Sequence, residues 1–304
     1  MTHPAPAFTL PPDTSFPPAT PSPVRAFPPG SVVLVGAGPG SADLLTLRAV
    51  QRLAQAEVLL YDHLVSPDIL LLSPASCRQI CVGKRASRHT LPQAEINQLL
   101  IGFARQGLRV VRLKGGDPFM FGRGGEEMHA VLSAGIPCES VPGISAALGA
   151  AASQLLPLTH RDYAQGCSFV TGHRRDGESA LDWTVNSHPE ETLVVYMGLG
   201  EAEHIARQLM ADGRAADTPV AIVEQACMPG ERTVCGQLDE LAALVARHQL
   251  QAPALLVIGK VVLLHRQLAA LRSAAAIQAE FLDSGHSATD HPAAILHTPP
   301  HETE

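Results

Sequence analysis

The feature that most limits what this chain can fold into is an alternation of two periodicities. Short apolar runs, VVLVG (32–36), EVLLYD (57–62), RQICVG (78–83) and RVVRL (109–113), are separated by stretches with helical spacing at 43–55, 92–106 and 124–134. Parallel strands need a crossover long enough to hold a helix, so this order predicts an α/β domain with a largely parallel sheet. A second series follows, with strands expected near 167–171, 192–197, 218–223, 231–235 and 253–258 and helices over 200–212, 237–247 and 263–280. The Pro-Gly punctuation of CESVPGIS puts the boundary near Val141 to Gly143, giving an N-terminal α/β domain over 31–141 and a C-terminal α/β domain over 142–280. Residues 1–30 hold ten of the 25 prolines and read as a disordered leader; 281–304 read as a polar, disordered tail.

Composition narrows the function. A chain of 304 residues with 46% apolar residues has room for two modest domains and a real core. A net charge of −7 argues against a general nucleic-acid binder. The six cysteines include no C-x-x-C pair, which fits buried thiols in a reducing cytoplasm better than metal ligation or disulfides. No apolar run approaches the ~18–20 residues of a membrane span, so a cytoplasmic protein is expected.

Ligands in open α/β sheets bind beyond the carboxyl ends of the strands, which directs attention to Gly36–Gly40, Asp62 and His63, Gly83 to Arg85, and Lys114 to Asp117. The first of these loops imitates a dinucleotide fingerprint, but Ser41 stands where glycine or alanine belongs. Ser41 suits the N-cap of a helix beginning near Ala42, and Asp43 in its first turn would repel a phosphate. Asp62 at a strand end suits either a ligand or its own loop backbone. The run RLKGGDPFMFGRGGEE (112–127) is more specific: closely set glycines let a ligand lie against the main chain, Asp117 can accept from a ribose or an amine, and Met120 and Phe121 offer apolar surface. Lys84, Arg85, Arg88, Arg112, Lys114, Arg123 and Arg161 fall at one expected sheet edge, which suits a small polyanion rich in carboxylates. Ser145 and Ala146 open a small-residue helix that a ligand can approach. Met197 ends a strand, where it would cover an adenine or fill core space. His160 and His173 are candidate acid-base groups, but no G-x-S-x-G elbow accompanies them.

Taken in order, VGAGPGSADLLTLRA, YDHLVS, VGKR, RLKGGDPFMFGRGGEE, VPGISAALGAAA, LPLTHRDYAQGCSFVTGH, YMGLG and PALLVIGKVV resemble the tetrapyrrole methylase family over about residues 31–265. The resemblance implies two α/β domains, each a sheet flanked by helices, with the active site in the cleft between them, S-adenosyl-L-methionine as co-substrate, no metal, and a homodimer. Carried over by motif, co-substrate contacts fall on Pro39, Gly115, Gly116, Asp117, Met120, Ser145, Ala146, Met197 and Ala226. Asp62 matches a proton acceptor and Lys84 a proton donor. Arg85, Arg112, Lys114, Arg123 and Arg161 would meet the substrate. Ser145 stands where threonine is common and Ala226 where glycine is usual, so an added methyl narrows the adenosine site. The motifs YDHLVS and THRDYAQ imply two methylations of uroporphyrinogen III, through precorrin-1 to precorrin-2, in sirohaem, cobalamin or haem d1 biosynthesis. The alternatives are a later methylase acting on precorrin-4 or another precorrin and, from another class, a nicotinamide- or flavin-dependent oxidoreductase resting on Gly36, Gly38 and Asp62.

Overall fold

The computed structural model describes residues 26–83, 91–172 and 188–283, with side chains as far as residue 275. In the first half β1 (Val32–Gly36), β2 (Val58–Tyr61), β3 (Arg78–Cys81), β4 (Val110–Lys114) and β5 (Cys138–Val141) alternate with α1 (Leu47–Leu53), α2 (Pro67–Leu70), α3 (Gln93–Arg105) and α4 (Gly124–Ser133). The strands form one all-parallel sheet in the order β3-β2-β4-β1-β5. Side chains alternate across it. Val33, Val35, Val111 and Leu113 pack with α1 and α2, whereas Val32, Leu34, Val58, Leu60 and Val110 pack with α3 and α4. By the same alternation Arg112 and Lys114 fall on the α3/α4 face.

The second half contains α5 (Ala146–Ser153), β6 (Gly166–Thr171), β7 (Glu191–Tyr196), α6 (Ala202–Ala211), β8 (Pro219–Glu224), β9 (Arg232–Gln237), α7 (Leu241–Arg247), β10 (Ala254–Ile258) and α8 (Val261–Asp283). Its sheet runs β6-β7-β10-β8-β9, with only β6 and β7 parallel. The short turn from Glu224 to Arg232 cannot carry a parallel crossover, so β8 and β9 pair as a hairpin. Helices α6 and α7 cover one face; α5 and α8 pack on the other.

Two local expectations are corrected. Ser41 does not cap a helix at Ala42: its hydroxyl bonds the Asp43 carboxylate and a 3-10 turn follows. The helix proper starts at Leu47, where Thr46 accepts from the Ala49 amide at 3.2 Å. Strand β5 has no counterpart in the sequence reading, because its four residues carry no apolar alternation. It is placed at the sheet edge, where Glu139 pairs with the fully buried Arg52 at 2.8 Å.

Candidate active site between the two sheets

The chain leaves β1 toward β2 and leaves β4 toward β5, on opposite sides, so β1 and β4 flank a topological switch point. The loops after these strands meet there. Gly38 and Gly116 exchange backbone hydrogen bonds of 3.1 and 2.7 Å, and Ala37 donates to the Lys114 carbonyl at 2.7 Å. A Cβ on Gly36 would lie 2.4 Å from the Gly143 nitrogen, and one on Gly143 would lie 2.2 Å from the Gly116 carbonyl oxygen. Three main chains pass too closely here for any side chain. Asp117 ties the crossing together: one carboxylate oxygen accepts from the Phe119 amide at 2.8 Å and the other from the Gly143 amide at 3.1 Å.

The second half closes against these loops. A Cβ on Gly149 of α5 would meet the Pro39 ring at 2.5 Å, and one on Gly40 would meet the Met228 sulfur at 2.5 Å. Gly116, at φ +66°, faces the start of α5, where its missing Cβ would stand 3.7 Å from the Ala146 nitrogen. Bare backbone and a helix start thus face each other here at van der Waals distance, a cradle built of main chain. Beside it the Tyr196 hydroxyl accepts from the Ala147 amide at 3.1 Å and lies 2.6 Å from Ser145 Oγ. Burial pushes the Tyr196 phenol above its ordinary range, against the pull of those two bonds. The Phe121 ring lies 4.9 Å from the Tyr196 ring. Met197, at φ 54°, presents a side chain that is 53% exposed, whereas Met120 and Ala226 are half-buried against the α5–β7 packing. Phe121, Arg123, Met197, Gln225 and Cys227 all have positive φ. Such costly backbone, gathered on the β4–α4 loop, the end of β7 and the β8–β9 turn, is characteristic of ligand sites.

Asp62 follows β2, next to β4, with its side chain 31% exposed. Arg112 donates from Nη2 to Asp62 Oδ1 at 2.5 Å and from Nε to Glu127 Oε1 at 3.1 Å. Lys114 Nζ and Gln93 Nε2 also reach Glu127 Oε1 at 3.1 Å. Burial opposes the Arg112 charge, yet Asp62 and Glu127 together hold its guanidinium above the usual range. Burial and the adjoining Arg112 charge lower Lys114. This corrects the expectation that Arg112 and Lys114 face a substrate carboxylate. They are 2% and 3% exposed, on the α4-covered face of an interior strand, and partnered by the protein's own carboxylates. Arg123 is exposed and pairs with Glu126 at 2.6 Å, and Arg161 is exposed. Lys84, Arg85, Arg88 and His173 lie outside the described residues. His160 is half-buried, with its Nδ1 accepting from the Asp162 amide at 3.2 Å.

Neither Glu127 nor Tyr196 carries a distinct signal in the sequence. Glu127 was legible only as one of two glutamates in a helix's first turn, and Tyr196 only as the residue before Met197. The oxidoreductase alternative is corrected by strand order. In the common dinucleotide fold β2 adjoins β1, so a carboxylate ending β2 reaches the ribose; here β4 lies between them and Asp62 is joined to Arg112.

A parallel sheet and a mixed sheet that meet at glycine-lined loops define a two-sheet α/β fold, and solved methyltransferase structures share it. The crystal structure of a uroporphyrin-III C-methyl transferase from Thermus thermophilus complexed with S-adenyl homocysteine is 43% identical, with a TM-score of 0.66 over 77% of this chain and 99% of that one. A cobalt precorrin-4 methyltransferase is 27% identical, with a TM-score of 0.69 over 76% of this chain and 95% of that one. The chain belongs to the tetrapyrrole methylase family: residues 31–242 match Tetrapyrrole (Corrin/Porphyrin) Methylases. Siroheme synthase 1 of Pectobacterium atrosepticum is 55% identical over 240 residues, which are 79% of this chain and 50% of that protein. A siroheme synthase of Chromobacterium violaceum is 53% identical over 233 residues, 77% of this chain and 50% of that protein. The chain thus spans about half the length of the curated relatives it matches. Among the described residues no helix is long and apolar enough to cross a membrane.

Proposed function

We propose that the chain transfers methyl groups from S-adenosylmethionine to two pyrrole carbons of uroporphyrinogen III, giving precorrin-2. The observation that carries this reading is the main-chain cradle between Gly116 and the α5 start, at the same end of the sheet as a carboxylate held by a buried arginine. The choice among tetrapyrroles rests on 43% identity to the uroporphyrin-III enzyme against 27% to the precorrin-4 enzyme, at nearly equal TM-scores. Nothing in the cradle requires a phosphate, which fits a co-substrate that carries none.

Gly115, Gly116, Ser145 and Ala146 would hold the co-substrate against the main chain, with Met197 and Ala226 bordering its adenosine and Met120 backing it. Asp117 and Pro39 act through the loops, the first by pinning the β4 loop to Gly143, the second by its contact with Gly149. The co-substrate supplies an electrophilic methyl on a sulfonium. As the ring carbon bonds to that methyl, the carbon–sulfur electron pair returns to sulfur and positive charge spreads onto the pyrrole. Asp62 stabilises that charge and accepts the proton the ring then loses. Arg112 orients Asp62 through the hydrogen bond from Nη2. Arg123 and Arg161, both exposed, would meet the substrate carboxylates, with Lys84 and Arg85 from the segment after β3. Alignment of carbon, methyl and sulfur supplies much of the acceleration.

Incubation with uroporphyrinogen III and labelled S-adenosylmethionine should place two labelled methyls on each product. Product from precorrin-4 but none from uroporphyrinogen III would overturn the substrate assignment. We further propose a cytoplasmic homodimer that supplies sirohaem biosynthesis; a single chain leaves Leu47, Leu71 and Leu148 exposed, and sedimentation equilibrium tests the stoichiometry.

A further inference from the structure

Beneath Asp62 the charges form a closed set. Glu127, at the first turn of α4, has no exposed surface, and its Oε1 is the common acceptor for Arg112 Nε, Lys114 Nζ and Gln93 Nε2, each at 3.1 Å. These donors come from β4 and from the first turn of α3, so a single carboxylate joins three elements. Arg112 is held at two further points: Nη1 donates to the Leu113 carbonyl at 3.1 Å and Nη2 to Asp62 at 2.5 Å. A guanidinium is planar, so fixing Nε and Nη1 fixes the direction in which Nη2 points. Two cations and two carboxylates balance in this set. Without the Glu127 charge, Arg112 and Lys114 would stand side by side, nearly unexposed, with Asp62 as their one carboxylate partner among the described residues.

We propose that Glu127 is a positioning residue for methyl transfer, holding the Arg112 fork so that Asp62 stands in one place at the mouth of the cleft. The inference rests on the reading of Asp62 as the carboxylate that meets the reacting ring. Glu127 itself touches neither ligand and acts through Arg112. It therefore governs the rate of the chemical step and not the affinity for either ligand.

The test is Glu127→Gln, which keeps the shape, removes the charge and, with its carbonyl in the place of Oε1, sets an amide donor where Oε2 stands 3.1 Å from Lys114 Nζ. At saturating ligands the single-turnover transfer rate should fall by about 10-fold or more, while the dissociation constants of S-adenosylmethionine and of the stable analogue uroporphyrin III change by less than about twofold. In an Asp62→Asn background the same substitution should cost less than about a further twofold, because the group through which it acts is already neutral. In the ligand-free protein, the Arg112 Nε–H signal should exchange slowly with solvent in the wild type and at least about 10-fold faster in the variant. If Glu127→Gln does not fold, Glu127→Gln/Lys114→Met removes one buried charge of each sign and carries the same comparisons. A wild-type transfer rate, a loss that multiplies fully with Asp62→Asn, or unchanged Arg112 exchange would each overturn the proposal. A wild type that binds S-adenosylmethionine but methylates no uroporphyrinogen III would overturn the substrate reading instead, while the exchange comparison still decides the link from Glu127 to Arg112.

Discussion

Asp62 and Arg112 form a pair of unequal exposure, the carboxylate 31% open and the guanidinium nearly closed off. The two therefore respond differently to substitution. Asp62→Asn keeps the size and a hydrogen-bonding oxygen, so both ligands should still bind while single-turnover methyl transfer falls by roughly 10²-fold or more. Wild-type transfer in this variant would remove Asp62 from the chemistry. Arg112→Ala, by contrast, strands a fully buried Glu127 with Lys114 and releases Asp62. Losing one partner of a buried ionic set costs about 3–5 kcal/mol, so this variant should unfold at markedly lower denaturant before any question of substrate affinity arises. An Arg112→Ala protein of normal stability and weakened tetrapyrrole binding would return the arginine to the substrate-contacting role read from the sequence.

Among the elements, α5 governs the cleft, because its start forms one wall of the cradle and its Gly149 lies against Pro39. Its first turn is joined to the end of β7, in the sheet on which it packs, by the Tyr196 hydroxyl. Tyr196→Phe removes the bonds to Ser145 and the Ala147 amide, leaves a buried N–H without its acceptor, and should cost about 1–2 kcal/mol of stability. S-adenosylmethionine affinity should fall with it, as titration calorimetry would report; unchanged affinity would separate this helix start from the co-substrate. The phenol also has a pH signature. Its folded-state value lies above the ordinary 10.0, so the unfolded chain releases that proton first. Stability is retained below about pH 10 and decreases as pH rises above it. That alkaline loss should be smaller in Tyr196→Phe, by denaturant titration at pH 9 and 11.

For the molecule as a whole, the core reaches further toward the N-terminus than the expected start at residue 31. Phe27 is 5% exposed, packs with Val33, Val35 and Leu53, and lies 5.6 Å beneath the Arg52 guanidinium. Ser31 Oγ donates to the Pro28 carbonyl at 2.5 Å. Removing residues 1–25, a proline-rich stretch with little apolar surface to bury, should leave the melting temperature unchanged. Removing 1–30 deletes Phe27 and should cost about 2–3 kcal/mol. Equal melting temperatures for the two truncations would mean that Phe27 contributes nothing to the core.

The sequence by itself determined most of the element types, the parallel first sheet, and the end of the sheet at which a ligand site is sought, because these follow from local periodicity and from glycines at strand ends. The motif runs identified the family and, with it, most of the cleft residues. Only the tertiary structure decided which of those side chains stand open and which are bound by other residues of the protein. Arg112 meets Asp62 across 50 residues and Ser145 meets Tyr196 across 51, contacts that exist because β4 inserts between β1 and β2 and because the second sheet closes over α5. Strand order and domain closure are long-range choices that leave no mark on local pattern. A basic residue at a strand end therefore looks the same in the sequence whether it awaits a substrate carboxylate or, like Arg112, already has Glu127.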